Sequence, residues 1–311
     1  MGKVIVTPRS LSKGGHPLLG RITSAGHELV FPSPGNQPTE AQLDAVISDA
    51  IGYIAGVEKI SAGLIAKAGK LVAISRNGTG VDNVDLAAAK ARGIRVLRAE
   101  GANARGVAEL AFGQILAAAR GICAADAQLK AGKWVREKGF ELEGKTLGII
   151  GCGKVGRLVA RFALAFDMRV LAFDLYPDAS FAPSTAFAWV SLAEALSKSD
   201  VVSLHCPPPA DGKSLLDRAA IDGLKKGVIV VNTAREGLVD AAAMTAALES
   251  GRVRAYTLDA FDKEPPDDWG IPGNLRVIAT PHIGGFTDES IDRATEVAVD
   301  NLLAALKEAG A

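Results

Sequence analysis

The sequence predicts an α/β protein of two doubly wound parallel-sheet domains. Three observations lead there. The chain has 311 residues, more than one ordinary domain holds, so the length prior favours two domains. Hydrophobic residues make up 48% and aromatic residues only 5%, the profile of buried parallel strands rich in Ala, Val, Leu, Ile and Gly. Short apolar runs alternate with longer amphipathic ones from start to end, which means βαβ units with right-handed crossovers.

In chain order, the apolar runs 4–6, 53–55, 71–74 and 94–97 read as buried strands, and 147–150, 170–173, 201–204, 228–231, 256–258 and 277–278 continue the series. Amphipathic stretches at 41–48, 62–68, 155–165 and 241–248 read as helices between them. A long Ala-rich helix is expected over 108–120, after Gly101 and Gly106, and the first crossing between domains is placed there. A last helix is expected over about 290–307; Thr287 caps its start, and Asp288 and Glu289 favour its positive end. It is expected to pack back on the first domain. The expected division is residues 1–99 plus 286–311 for a discontinuous first domain and 100–285 for the second.

The charge balance excludes some partners. Lys plus Arg and Asp plus Glu number 35 each, so no electrostatic term draws the chain to nucleic acid or an anionic membrane. Cys123, Cys152 and Cys206 form no CxxC pair, and an odd count argues for a reducing compartment. The first residues do not read as a signal peptide, and no run of about 18 apolar residues occurs. A soluble, cytoplasmic protein without a metal site is expected.

The strongest local signal runs from Lys145 to Ala160, where a strand enters Gly151-x-Gly153-x-x-Gly156 and a helix opens at once. Gly151 makes the tight turn, Gly153 lets a pyrophosphate approach the backbone, and Gly156 lets helix and strand pack closely. Asp174 ends the next strand, where a carboxylate accepts hydrogen bonds from ribose hydroxyls and repels a 2′-phosphate. The pattern therefore favours NAD over NADP.

Three further clusters follow predicted strands. They are Asn232-Thr233-Ala234-Arg235-Glu236-Gly237, the run from Asp259 through Glu264-Pro265, and Thr280-Pro281-His282-Ile283-Gly284-Gly285. Each lies at a carboxyl strand end, where open α/β sheets bind ligands. An Arg, a Glu and a His so placed fit reduction of a 2-keto acid. Arg235 offers a bidentate fork to the carboxylate, His282 carries the proton, and Glu264 orients the imidazole. A bound nicotinamide carries the hydride.

These motifs, with Leu204-His205-Cys206-Pro207 and the run from Arg76 through Asp82 to Asp85, resemble the D-isomer-specific 2-hydroxyacid dehydrogenase family over roughly residues 50 to 305. The resemblance implies a flavodoxin-like substrate domain and a Rossmann NAD-binding domain. It implies that Arg235 binds the substrate carboxylate, that His282 is the acid/base and that Glu264 is its partner. Lys154 and Val155 would give backbone N–H groups to the pyrophosphate. Cys206, Pro207, Thr233, Ala234 and Asp259 would line the cofactor site with Gly284 and Gly285, and Thr79 would face it. Asn77 and Gly78 would hold the substrate carboxylate through backbone N–H groups. A homodimer through the 108–120 helix is also implied.

Within the family the sequence most resembles a short form of the phosphoglycerate dehydrogenases. Gly78 to Asp85, Asn103 and Gly132-Lys133-Trp134 carry that likeness, and Arg136 sits where a phosphate-binding arginine is kept. Asn103 and Arg136 are accordingly candidate substrate residues. Ala55 replaces another expected arginine, Arg105 is a second departure, and Glu236 replaces a usual glycine. The chain ends near residue 311, where the long form's regulatory domain would begin, so that domain is expected to be absent. Glyoxylate, hydroxypyruvate or a sugar-acid derivative stays open as substrate. A dinucleotide-sensing corepressor and a formate- or phosphite-type dehydrogenase are the alternatives.

Overall fold

A computed structural model of the chain describes residues 2–310. Two compact units result, Met1–Asn103 with Thr287–Ala311, and Ala104–Phe286.

The first unit carries β1 (Lys3–Val6), β2 (Glu28–Val30), β3 (Ala50–Ala55), β4 (Ala73–Arg76) and β5 (Arg95–Arg98) in the order β2-β1-β3-β4-β5. All four pairings are parallel. The expected 71–74 and 94–97 strands start two and one residues late in the sequence, because Leu71 and Ile94 are buried just before pairing begins. Apolar character reports burial, whereas a strand begins where the neighbouring ladder does. β2 had no signal: it is a three-residue edge strand with no fully buried residue, and its register comes from Lys3↔Glu28 in β1.

The last helix, Asp288–Glu308, belongs to this unit and starts two residues earlier than expected. Thr287 Oγ1 accepts from Ser290 N at 3.2 Å and caps it. Its buried stripe of Ala298, Val299, Leu302, Ala305 and Leu306 joins Val4, Val6 and Ile54 in one core layer. Ser75 Oγ, fully buried in β4, donates to Ala298 O at 2.9 Å and pins the helix to the sheet.

The second unit carries β6 (Thr146–Ile150), β7 (Arg169–Phe173), β8 (Phe187–Trp189), β9 (Val201–Leu204), β10 (Val228–Asn232), β11 (Val253–Leu258) and β12 (Val277–Ala279). Their order is β12-β11-β10-β9-β6-β7-β8, with parallel pairs throughout. Every residue of β9 and β10 is buried, as a sheet covered on both faces requires. One core layer joins the sheet to helices Ala104–Arg120 and Lys154–Ala165. The other joins it to Ala195, Leu196, Ile221, Met244, Ala247 and Leu248. The Ala-rich helix begins at Ala104 rather than 108, and the i,i+4 pair Arg105–Glu109 supports the extra turn. Among the described residues no single helix is long and apolar enough to cross a membrane.

Candidate active site

Strand order in the second unit reverses between β6 and β9, and the crevice beyond their carboxyl ends is where such sheets take ligands. Gly151 leaves β6 there at φ +91°, and a Cβ on it would stand 2.7 Å from Cys206 N. Only glycine fits both the left-handed backbone and that approach. A Cβ on Gly156 would collide with the carbonyl oxygen of Gly151, so the helix can sit this close only without one.

Gly153 differs from both. It is exposed, with nothing within 4 Å of a Cβ position. It precedes helix Lys154–Ala165, and no side chain caps that helix. The first N–H groups, at exposed Lys154 and half-buried Val155, therefore lie at an open, positive helix end, which fits a pyrophosphate.

Asp174 follows β7. Its Oδ2 accepts from Cys152 N at 2.8 Å and its Oδ1 from Tyr176 N at 3.0 Å. The carboxylate is thus anchored beside the glycine turn while remaining half-exposed. Cys206 and Pro207 follow β9 and Thr233 and Ala234 follow β10 at the same edge. Thr233 Oγ1 is a buried hydroxyl with no partner among the described residues, and a bound polar group there would satisfy it. Burial pushes the Cys152 thiol up to about 12 and the Cys206 thiol up to about 11, which rules both out as thiolate nucleophiles near neutral pH.

Arg235, Glu264 and His282 lie in the loops that follow three neighbouring strands of this edge, β10, β11 and β12. Fully buried Asn232 shapes the Arg235 turn: its Oδ1 accepts from Ala234 N at 3.1 Å and its Nδ2 donates to Arg235 O at 2.7 Å. Arg235 is half-buried and Nη1 donates to Ala234 O at 2.7 Å. His282 Nδ1 lies 2.6 Å from Glu264 Oε1. A carboxylate only accepts, so Nδ1 carries the proton and Nε2 is the ring nitrogen left for a substrate. Burial pushes the Glu264 carboxyl up, but the His282 hydrogen bond and charge, the Phe261 N–H and the Arg235 charge outweigh it and hold it below its ordinary value.

His282 has φ +53°, a left-handed conformation that costs a non-glycine residue about 1–2 kcal/mol. Its N–H donates to Asp259 O at 2.8 Å and Thr280 O at 2.9 Å. The Asp259 carboxylate faces this loop: Oδ1 accepts from Ile283 N and Oδ2 from buried Gly284 N, both at 2.9 Å. Half-buried Gly285 follows. The other strand-end histidine, His205, has a different setting. Its Nε2 lies 2.8 Å from Ser203 Oγ, and burial pushes the ring down to about 4, so it stays neutral near pH 7.

The first unit holds Asn77, Gly78, Thr79 and Asn103. Asn77 N donates to Ala55 O at 3.0 Å, while Asn77 Oδ1 is buried without a partner among the described residues. Thr79 Oγ1 lies 3.3 Å from Asn103 Oδ1 and accepts from Gly101 N at 3.3 Å. Two residues assigned no role from sequence hold these loops. Arg76, 6% exposed, donates to the carbonyls of Ala55, Gly56 and Gly80. Glu58, 2% exposed, accepts from Tyr53 OH, Thr7 Oγ1 and Gly56 N. Arg76 opens the family-like run 76–85 without a role there, and the sequence signal of Glu58 is a charge shortly after an apolar strand. Arg136 belongs to the second unit, exposed in an irregular stretch near Trp134.

Residues 112–284 match the family model described as D-isomer specific 2-hydroxyacid dehydrogenase, NAD binding domain. The chain is 39% identical over 273 residues to a D-3-phosphoglycerate dehydrogenase of Methanocaldococcus jannaschii, covering 86% of this chain and 52% of that protein. The chain spans about half the length of the phosphoglycerate dehydrogenases it matches. It is 44% identical over 238 residues to a hydroxypyruvate reductase of Thermotoga maritima, covering 75% of this chain and 76% of that one. A crystal structure of a Thermus thermophilus protein superposes with a TM-score of 0.88 at 36% identity, covering 98% of this chain and 97% of that one.

Proposed function

The chain belongs to the D-isomer specific 2-hydroxyacid dehydrogenase family, and from that premise we propose that it interconverts a small D-2-hydroxy acid and its 2-keto acid with NAD. The 2.6 Å His282–Glu264 pair, beside Arg235 and on the same sheet edge as the glycine turn, carries this reading. When bound, the cofactor would supply the chemistry of hydride transfer, giving a hydride to C2 as NADH in reduction and taking it from C2 as NAD in oxidation. The N–H groups of Lys154 and Val155 take the pyrophosphate and Asp174 the ribose hydroxyls. Cys206, Pro207, Thr233, Ala234, Gly284 and Gly285 wall the cofactor. Arg235 takes the substrate carboxylate as a fork and polarises the carbonyl. In reduction His282 Nε2 donates a proton to the C2 oxygen; in oxidation it takes that proton back. Glu264 holds Nδ1 and stabilises the imidazolium.

The hydroxy acid divides into two readings. Arg136 and the likeness to phosphoglycerate dehydrogenases support a 3-phosphorylated acid. Unphosphorylated hydroxypyruvate is favoured by Ala55, an uncharged residue buried at the end of β3, and by Arg76, whose guanidinium is committed to backbone carbonyls. We further read the chain as a cytoplasmic homodimer through helix Ala104–Arg120, supported by exposed Ile122, Leu129 and Trp134 beyond it. Light scattering that shows only a 32.1 kDa species refutes the dimer.

The test is NADH oxidation with hydroxypyruvate, 3-phosphohydroxypyruvate and glyoxylate. His282→Ala should lower kcat about 100-fold or more with NADH affinity nearly intact; retention of most activity overturns the assignment. Asp174→Ala should narrow the preference for NADH over NADPH, and an unchanged preference removes Asp174 from the ribose site.

A further inference from the structure

The Ala-rich helix Ala104–Arg120 carries one large uncharged polar side chain in its buried face, Gln114, only 4% exposed. A leucine there would fill similar volume with no polar demand. Both ends of the Gln114 amide are used. Oε1 accepts from Thr257 Oγ1 at 2.8 Å, and Nε2 donates to Thr280 Oγ1 at 3.1 Å. Thr280 Oγ1 in turn donates to Asp259 Oδ1 at 2.6 Å. Thr257 is wholly buried and Asp259 is 1% exposed.

The direction of this chain follows from proton counting. A carboxylate accepts only, so the one hydroxyl proton of Thr280 goes to Asp259. Thr280 Oγ1 must then accept, so the NH₂ end of Gln114 faces it and the amide oxygen faces Thr257. Every proton points toward Asp259, and no alternative arrangement satisfies the buried groups. The same carboxylate holds Ile283 N and Gly284 N, the two amides that follow His282. His282 itself sits at φ +53°, which surrounding bonds must maintain.

We propose that Gln114 is a positioning residue for the proton carrier: through Thr280 and Asp259 it fixes the 281–284 loop and so the aim of His282. It touches neither substrate nor cofactor. This inference rests on His282 being the acid/base. Replacing Gln114 alone would leave the Thr257 hydroxyl without an acceptor in the core, a stability loss separate from positioning. The test therefore uses Gln114→Leu with Thr257→Val, an apolar pair that leaves no orphan at Thr257, alongside Gln114→Leu and His282→Ala.

Two readouts apply. Amide exchange at Ile283 and Gly284 should accelerate at least tenfold in the double variant while helix Ala241–Glu249 keeps its protection. With hydroxypyruvate and NADH, kcat should fall about tenfold with KM for NADH within twofold. Unchanged loop exchange overturns the proposal whatever the activity. So does a double variant whose kcat equals that of the unmodified protein when His282→Ala is inactive. If His282→Ala stays active, the reading of His282 fails, and loop exchange still decides whether Gln114 fixes the loop.

Discussion

Glu264→Gln keeps the size of the side chain and removes its charge. In the folded protein Glu264 Oε1 receives two N–H groups, His282 Nδ1 at 2.6 Å and Phe261 N at 3.2 Å. A hydrogen bond between charged groups contributes about 1.5–3 kcal/mol and a neutral one about 0.5–1.5 kcal/mol, so the charge itself supplies about 1–1.5 kcal/mol. The His282 and Glu264 side chains are 38% and 31% exposed, and water screening reduces the figure to about 1 kcal/mol. That energy favours the imidazolium and its orientation together, and its loss lowers kcat about fivefold. Glu264→Ala removes the acceptor altogether and should cost about 2–3 kcal/mol, or about 30- to 150-fold. The assay is steady-state reduction of hydroxypyruvate by NADH, with NADH affinity and thermal unfolding measured beside it. Stability carries a sign as well. A carboxyl held below its ordinary value adds stability above pH 4.5, lost as pH falls through the lower folded value. The stability gap between Glu264→Gln and the unmodified protein should therefore close as pH drops below 4.5. Two variants with kcat within twofold of the unmodified enzyme, in a background where His282→Ala is inactive, would refute the orienting role.

Two further perturbations probe the frame of the site. Gly151→Ala places a Cβ 2.7 Å from Cys206 N at φ +91°; the strain of about 1–2 kcal/mol, plus the overlap, should lower Tm and weaken NADH binding at least tenfold, and an NADH Kd within twofold refutes the turn assignment. His205 tests pH dependence. Its ring is pushed from 6.5 to about 4 by burial, so between those values the unfolded chain binds a proton that the folded chain refuses. The contribution is fully present above pH 6.5 and is lost as pH falls toward 4. His205 keeps some exposed surface, so about 3 kcal/mol is a ceiling. Urea unfolding at pH 7.5 and pH 5 should show a smaller loss in His205→Gln, and equal losses in both proteins would rule out His205 as the source.

The central strands were legible because their signal is local. β9 and β10 are buried on both faces, and unbroken apolar runs such as Val228 to Val231 have no other comfortable setting. The edge strands β2 and β8 were not legible. Each is three residues long and pairs on one side, so its existence depends on a neighbour rather than on its own composition. Helix starts shifted as well: the Arg105–Glu109 ion pair extends one helix to Ala104, a detail apolar periodicity does not carry, while the Thr287 cap read from the sequence closes the first turn of the last helix directly from Asp288.

The sequence by itself determined the dinucleotide turn, since a left-handed Gly151 and a close-packed Gly156 are demands of backbone and Cβ sterics that one residue type meets. It also placed Arg235, Glu264 and His282 at strand ends. Only the tertiary structure decided that Glu264 and His282 touch. They stand 18 positions apart in the chain, and their contact follows from β11 and β12 pairing as parallel neighbours in the register Leu258↔Ala279. Gln114 is the stronger case. One buried glutamine in an Ala-rich helix has no meaning until folding brings Thr257 and Thr280 to its two ends, because a buried amide is stable only where donors and acceptors from distant segments meet it.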